Sequence, residues 1–197
     1  MNKIRFIVLL LVCWVSPPAQ ALTFGTVIID PGHGGKDGGC VWHGLVEKKL
    51  CLDTAQRLER LLKAKGLRVI MTRRSDEHVE LEDRAVIANR YSKAIFVSIH
   101  FNASKDRSIS GMEIFYRSDS GKTLARKILR SMDQNLKGVN RGVFHGDLSV
   151  LRRTLMPAVL IECGYLSNRT ESQRCGTVAH RQELAESIAS GILGSRS

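Results

Sequence analysis

No Cys-x-x-Cys pair, zinc-finger spacing, Lys/Arg block or aromatic-rich RNA-binding motif occurs in this 197-residue chain. Its excess of positive charge therefore has no nucleic-acid signature behind it. Internal repeats, linkers and low-complexity segments are absent too, which excludes solenoids and arrays and leaves one domain by length. Acidic residues are scarce, 19 Asp plus Glu against 30 Lys plus Arg. Only one long apolar run is present, and it stands at the start.

That run, Phe6 to Val15, follows Lys3 and Arg5 and leads to Ser16-Pro17-Pro18 and Ala19-Gln20-Ala21. A charged start, an apolar stretch too short to span a bilayer comfortably and an A-x-A site read as a secretory signal peptide cut after Ala21. The expected domains are thus a signal peptide over 1–21 and one mature domain over 22–197. The protein is expected to be exported to the periplasm or the outer cell envelope, without a stable membrane anchor. Val12 stands where a small residue is wanted before a lipidated cysteine, which weighs against Cys13 as a lipid attachment point. Removing Lys3 and Arg5 leaves 28 basic against 19 acidic residues, a formal +9. An exported protein of that charge meets anionic envelope polymers first, and such attraction raises association rates more than it fixes specificity. Cys40, Cys51, Cys163 and Cys175 remain; Cys163 with Cys175 is the first disulfide to test, against free buried thiols.

Three β-branched or apolar runs end in polar residues. Val27-Ile28-Ile29 gives way to Asp30-Pro31-Gly32-His33-Gly34-Gly35, Ala94 to Ile99 runs into His100, and Ala158 to Ile161 into Glu162. Helical spacing is expected over about Val46–Lys65, over Leu81–Tyr91 with Leu81, Ala85, Ile87 and Ala88 inward, over Thr123–Leu136 and over Gln182–Leu193. Leu67–Thr72, Met112–Tyr116 and a short piece at Leu148–Leu151 complete the expected strands. Strands alternating with helices predict an α/β fold: a single twisted, mostly parallel or mixed sheet, helices on both faces, and ligands at the carboxyl ends of the strands.

Of six histidines, His78 and His180 lie in polar segments expected to be solvated, and His43 and His145 in loops. His33 and His100 sit on strand ends, with Glu47 in the first turn of a helix and Glu162 as the available carboxylates. Two imidazoles and one carboxylate make a three-ligand zinc site that keeps a position for water, the catalytic arrangement. The second carboxylate then serves as general base. Periodicity does not say which glutamate has which role.

These residues resemble the zinc-dependent N-acetylmuramoyl-L-alanine amidases of the type-3 group. The similarity runs from Val27 to about Ala189. It rests on Ile29 to Gly35, Glu47, Thr72-Arg73, Arg84, Ala88-Asn89, Ser98-Ile99-His100-Phe101-Asn102-Ala103, Gly111 to Tyr116, and Met156 to Asn168. The resemblance implies zinc held by His33, Glu47 and His100, Glu162 as catalytic acid/base, and peptidoglycan as substrate, cut between N-acetylmuramic acid and L-alanine. Where the family reads Asp-Pro-Gly-Ala, this chain has Asp37-Gly38-Gly39-Cys40, which loosens the loop and brings a thiol near the metal. Asn102 is a candidate substrate contact. Arg73 and Arg84 are candidates for binding stem-peptide carboxylates or for structural ion pairs with Asp76 or Asp83. Rival readings are a zinc peptidase cutting within the stem peptide and a non-catalytic wall-binding domain. In relatives that separate daughter cells, an inserted helix covers the zinc until a partner removes it. The segment from Arg117 to Ser149 leaves no room for one, so a monomer needing no activator is expected.

Overall fold

The computed structural model describes residues 21–197; the signal-peptide expectation lies outside the described residues, apart from Ala21. Six strands form one sheet in the order β4-β1-β5-β8-β6-β7. They are β1 (Thr26–Pro31), β4 (Arg68–Met71), β5 (Ala94–Asn102), β6 (Met112–Tyr116), β7 (Asn140–His145) and β8 (Ala158–Tyr165). All neighbours are parallel except β6 and β8. A separate hairpin pairs β2 (Val41–Trp42) with β3 (Leu45–Val46).

Residue parity divides each central strand between two cores. Val27 and Ile29, Ile95, Val97, Ile99 and Phe101, and Val159, Ile161 and Cys163 join one core with helices α1 (Glu47–Ala64), α3 (Asp119–Asn135) and α6 (Val178–Leu193). Ile28, Ala94, Phe96, Ala158 and Leu160 face a smaller core with Ala88 of α2 (Leu81–Asn89) and Val150 and Leu151 of α4 (Ser149–Arg153). Alternate residues of a strand point to opposite faces, so Asp30, Ser98, His100 and Glu162 follow the smaller core toward the strand ends. The chain leaves β1 for β4 on one side and enters β5 on the other, through helices on opposite faces. The strand order therefore reverses between β1 and β5, the position where open α/β sheets take ligands.

Several expectations need correction. Leu148–Leu151 is no strand: Leu148 precedes α4, whose Val150 and Leu151 pack into the smaller core. Leu81 is 53% exposed, because α2 buries only Arg84, Ala85 and Ala88 and the long Arg84 side chain takes the inward position. His180 is buried, since α6 starts a turn earlier than expected and Thr177 accepts a hydrogen bond from the His180 N–H, which puts the ring in the first turn facing inward. Cys163 and Cys175 are unpaired, and all four described cysteines are free. Strand β7, helix α5 (Arg169–Cys175) and the β2–β3 hairpin were not anticipated.

Candidate metal centre and active site

Beyond β1 the chain turns through Gly32, His33 and Gly34. His33 itself takes a left-handed conformation, φ 60°, which costs a side chain of its type free energy that surrounding contacts must offset. Two buried arginines supply them. Arg73 donates to the carbonyls of Pro31 (2.9 Å) and Gly32 (2.7 Å), and Arg84 to those of Pro31 and His33, both at 2.7 Å. Arg84 also pairs with Asp30 at 2.8 Å, and Asp30 accepts further from Thr72 (2.6 Å) and Ser98 (2.7 Å). Both arginines are thus structural: Arg84 has Asp30 as its ion-pair partner, Arg73 holds only backbone carbonyls, and Asp76 bonds Lys48 instead. A Cβ on Gly32 would stand 2.3 Å from the His100 ring, so only glycine admits the imidazole there.

The turn, the start of α1 and β5 bring three side chains together. Ligand atoms of His33, Glu47 and His100 all lie within 4.8 Å of one another. Glu47 Oε1 is 2.9 Å from His33 Nε2 and 3.1 Å from His100 Nδ1, and it accepts from the Phe101 N–H at 3.2 Å. Its Oε2 accepts from the Cys40 N–H at 2.9 Å. Burial opposes ionisation of Glu47, but the two histidines outweigh it and hold its carboxyl well below the usual range. For His33 burial favours the neutral ring, and Glu47 and Asp37 together overcome that and raise its pKa. A cavity of about 90 Å³ opens beside the two histidines, lined also by Asp37, His78 and Leu81.

Glu162 of β8 lies beside His100, its register partner on β5, and on its other side pairs with Glu113 of β6. Its Oε2 is buried without a hydrogen-bond partner. Burial pushes its carboxyl up to about 7, partly offset by His100 and reinforced by Glu47 and Glu113. Asn102 donates to Glu113 (2.8 Å) and accepts from the Ala103 N–H (2.7 Å), so its amide is already engaged. The Cys40 thiol points at the Phe101 carbonyl (3.6 Å), burial with nearby Glu47 pushes it up to about 12, and it is not among the clustered ligand atoms. His43 and His145 are exposed and outside that set; they stack against Trp42 and Tyr116.

Asp37 and Glu113 escaped sequence reasoning as site residues. Asp37 accepts from His33 Nδ1 at 2.8 Å, where an outer carboxylate would orient the imidazole for a ligand role. Its position one tight glycine turn after His33 was the available signal. Glu113 lies in the Gly111–Tyr116 motif, but its place beside Glu162 depends on antiparallel pairing between distant strands.

A family model described as N-acetylmuramoyl-L-alanine amidase matches residues 27–194. The chain belongs to this amidase family. Over 180 residues it is 34% identical to a Staphylococcus saprophyticus protein named "probable cell wall amidase LytH", covering 90% of this chain and 60% of that one. It thus spans less than two thirds of that relative. The crystal structure of an N-acetylmuramoyl-L-alanine amidase from Clostridium difficile 630 superposes with TM-score 0.83 at 38% identity, covering 87% of this chain and 96% of the other. The CwlD amidase of Clostridioides difficile, solved in complex with the GerS lipoprotein, gives 0.84 at 30% identity, covering 87% and 98%. The mixed six-stranded sheet with its surrounding helices is the fold of these amidases. Among the described residues no helix is long and apolar enough to cross a membrane.

Proposed function

We infer that this amidase-family chain hydrolyses the amide between N-acetylmuramic acid and L-alanine in peptidoglycan, using zinc held by His33, Glu47 and His100. The observation that carries the reading is the compact His-Glu-His cluster with the unpartnered Glu162 carboxylate beside it. The donor set fits the metal. Each nitrogen of His33 faces a carboxylate, Asp37 on Nδ1 and Glu47 on Nε2, while a neutral imidazole carries one proton. The second contact therefore wants another proton or a cation, and a cation there also satisfies Glu47 and His100. Zinc held by these three residues would supply Lewis acidity, making water nucleophilic near neutral pH and polarising the carbonyl under attack.

The chain's own residues divide the remaining work. Asp37 holds the His33 proton on Nδ1 and leaves Nε2 free to ligate. Glu162 accepts a proton from the attacking water and returns it to the leaving nitrogen, a task suited to a carboxyl that exchanges its proton near neutrality. Family and relatives support action on the cell wall, hence outside the membrane or in the envelope; export through the segment 1–21 is the finer proposal. We also propose a monomer that needs no activator. Helix α3 and strand β7 take up most of the segment from Arg117 to Ser149, where α4 begins, and the side chains of His33 and His100 remain 22% and 19% exposed. Digesting purified peptidoglycan and weighing the fragments tests the reading. Release of intact stem peptides, abolished by a chelator, is expected; shortened stems indicate a peptidase, and no cleavage with zinc bound indicates a binding domain.

A further inference from the structure

The β2–β3 hairpin runs directly into Glu47, and the loop 103–110 leaves the strand that carries His100. The loop leads to β6, whose Glu113 pairs with Glu162, so it lies at the site's end of the sheet, and it meets the hairpin there: the Arg107 guanidinium carbon stands 5.1 Å from the centre of the Trp42 ring. Both are firmly placed. His43 and Gly44, φ 51° and 81°, close the hairpin in the left-handed two-residue turn that matches strand twist. Trp42 packs against the larger core. In the loop, the Asp106 carboxylate accepts from the Ser108 N–H (2.9 Å) and hydroxyl (2.6 Å), the Ser104 N–H donates to the Ser167 hydroxyl (2.9 Å), and Asn168 donates to the Arg107 carbonyl (3.0 Å).

The charge of Arg107 is exposed and makes no ion pair among the described residues; its acidic neighbour Asp106 is turned toward Ser108. Arg141 makes a useful contrast. It lies over Tyr165 at 5.2 Å, but Glu113 neutralises it at 3.0 Å. A guanidinium laid on an indole presents its donor fork in a fixed plane, so little freedom is lost when the fork engages a planar carboxylate.

We propose that Arg107, held on Trp42, binds a free carboxylate of the stem peptide close to the scissile amide and so gives the enzyme a preference for acidic stems. The proposal rests on the amidase reading. The test uses N-acetylmuramoyl-L-alanyl-D-glutamate and the same compound with both glutamate carboxyls amidated. Wild-type protein is expected to show the lower KM for the acid. Arg107→Gln is expected to raise the KM for the acid about tenfold, the scale of one charged hydrogen bond, while zinc content and kcat hold and the KM for the diamide does not move. Arg107→Lys, which keeps the charge without the planar fork, is expected to fall between, and Trp42→Leu to act in the same direction as Arg107→Gln but less. Equal effects of Arg107→Gln on both compounds, or none, overturn the proposal. A wild-type enzyme that cuts both with one KM overturns it while leaving the amidase reading standing. Failure to cut either compound counts against the amidase reading itself.

Discussion

His33 sits between two carboxylates, and its protonation decides what the site holds. Asp37 and Glu47 raise its pKa above the ordinary 6.5 against the effect of burial. Metal and the second proton compete for one nitrogen, so zinc affinity is expected to fall as pH drops through this raised value and to level off above it. Asp37→Asn removes one of the raising charges. It should move that fall to lower pH, and it should weaken zinc about ten- to hundredfold at neutral pH, the usual worth of an outer carboxylate. Competition titrations with a zinc indicator at several pH values measure both; an unchanged midpoint in Asp37→Asn contradicts the role given to Asp37.

At the scale of elements, the centre depends on a turn that would not hold its shape alone. Asp30, Thr72, Ser98, Arg73 and Arg84 form a buried polar frame under it, and the glycines let the ring of His100 approach. Gly32→Ala places a methyl where that ring lies; the expected result is a folded protein, by circular dichroism, with most of its zinc lost. Full zinc content would contradict the close approach. Arg84→Met leaves Asp30 buried without its cation and is expected to cost about 3–5 kcal/mol in chemical denaturation, a shift under 1 kcal/mol being the contrary result. Legibility in sequence followed the strength of local pattern. The buried strands β1, β5 and β8 and the helix α1 were visible, because continuous apolar runs and a clean helical stripe mark them. Strand β7 was hidden because an edge strand with exposed residues on both sides has no alternation, and Gly142 at φ 112° reads as loop. Helices α4 and α5 are too short for periodicity to show. Arg73 and Arg84 looked open to ligands or to nearby acids, since only the folded turn reveals the carbonyls they hold.

The whole molecule carries a formal +9 after the proposed cut, and the peptidoglycan it is proposed to act on belongs to an anionic envelope. Cleavage of intact sacculi by residues 22–197 without added activator is expected to weaken as salt rises from about 0.01 to 0.5 M, because surface attraction is screened over that range. A flat salt response removes the electrostatic part, and silence until a partner is added removes the activator-free part. The assignment of the two glutamates rests on more than charge: Glu47 contacts both histidines, and Glu162 keeps an oxygen free beside them. Its most direct test is zinc content measured together with hydrolysis rate in Glu47→Ala and Glu162→Gln. Glu47→Ala is expected to lose zinc, and Glu162→Gln to bind about one zinc per chain while losing roughly a hundredfold or more in rate, the usual effect of removing a general acid/base; equal zinc loss in both variants, or a Glu162→Gln enzyme with wild-type rate, would contradict the account.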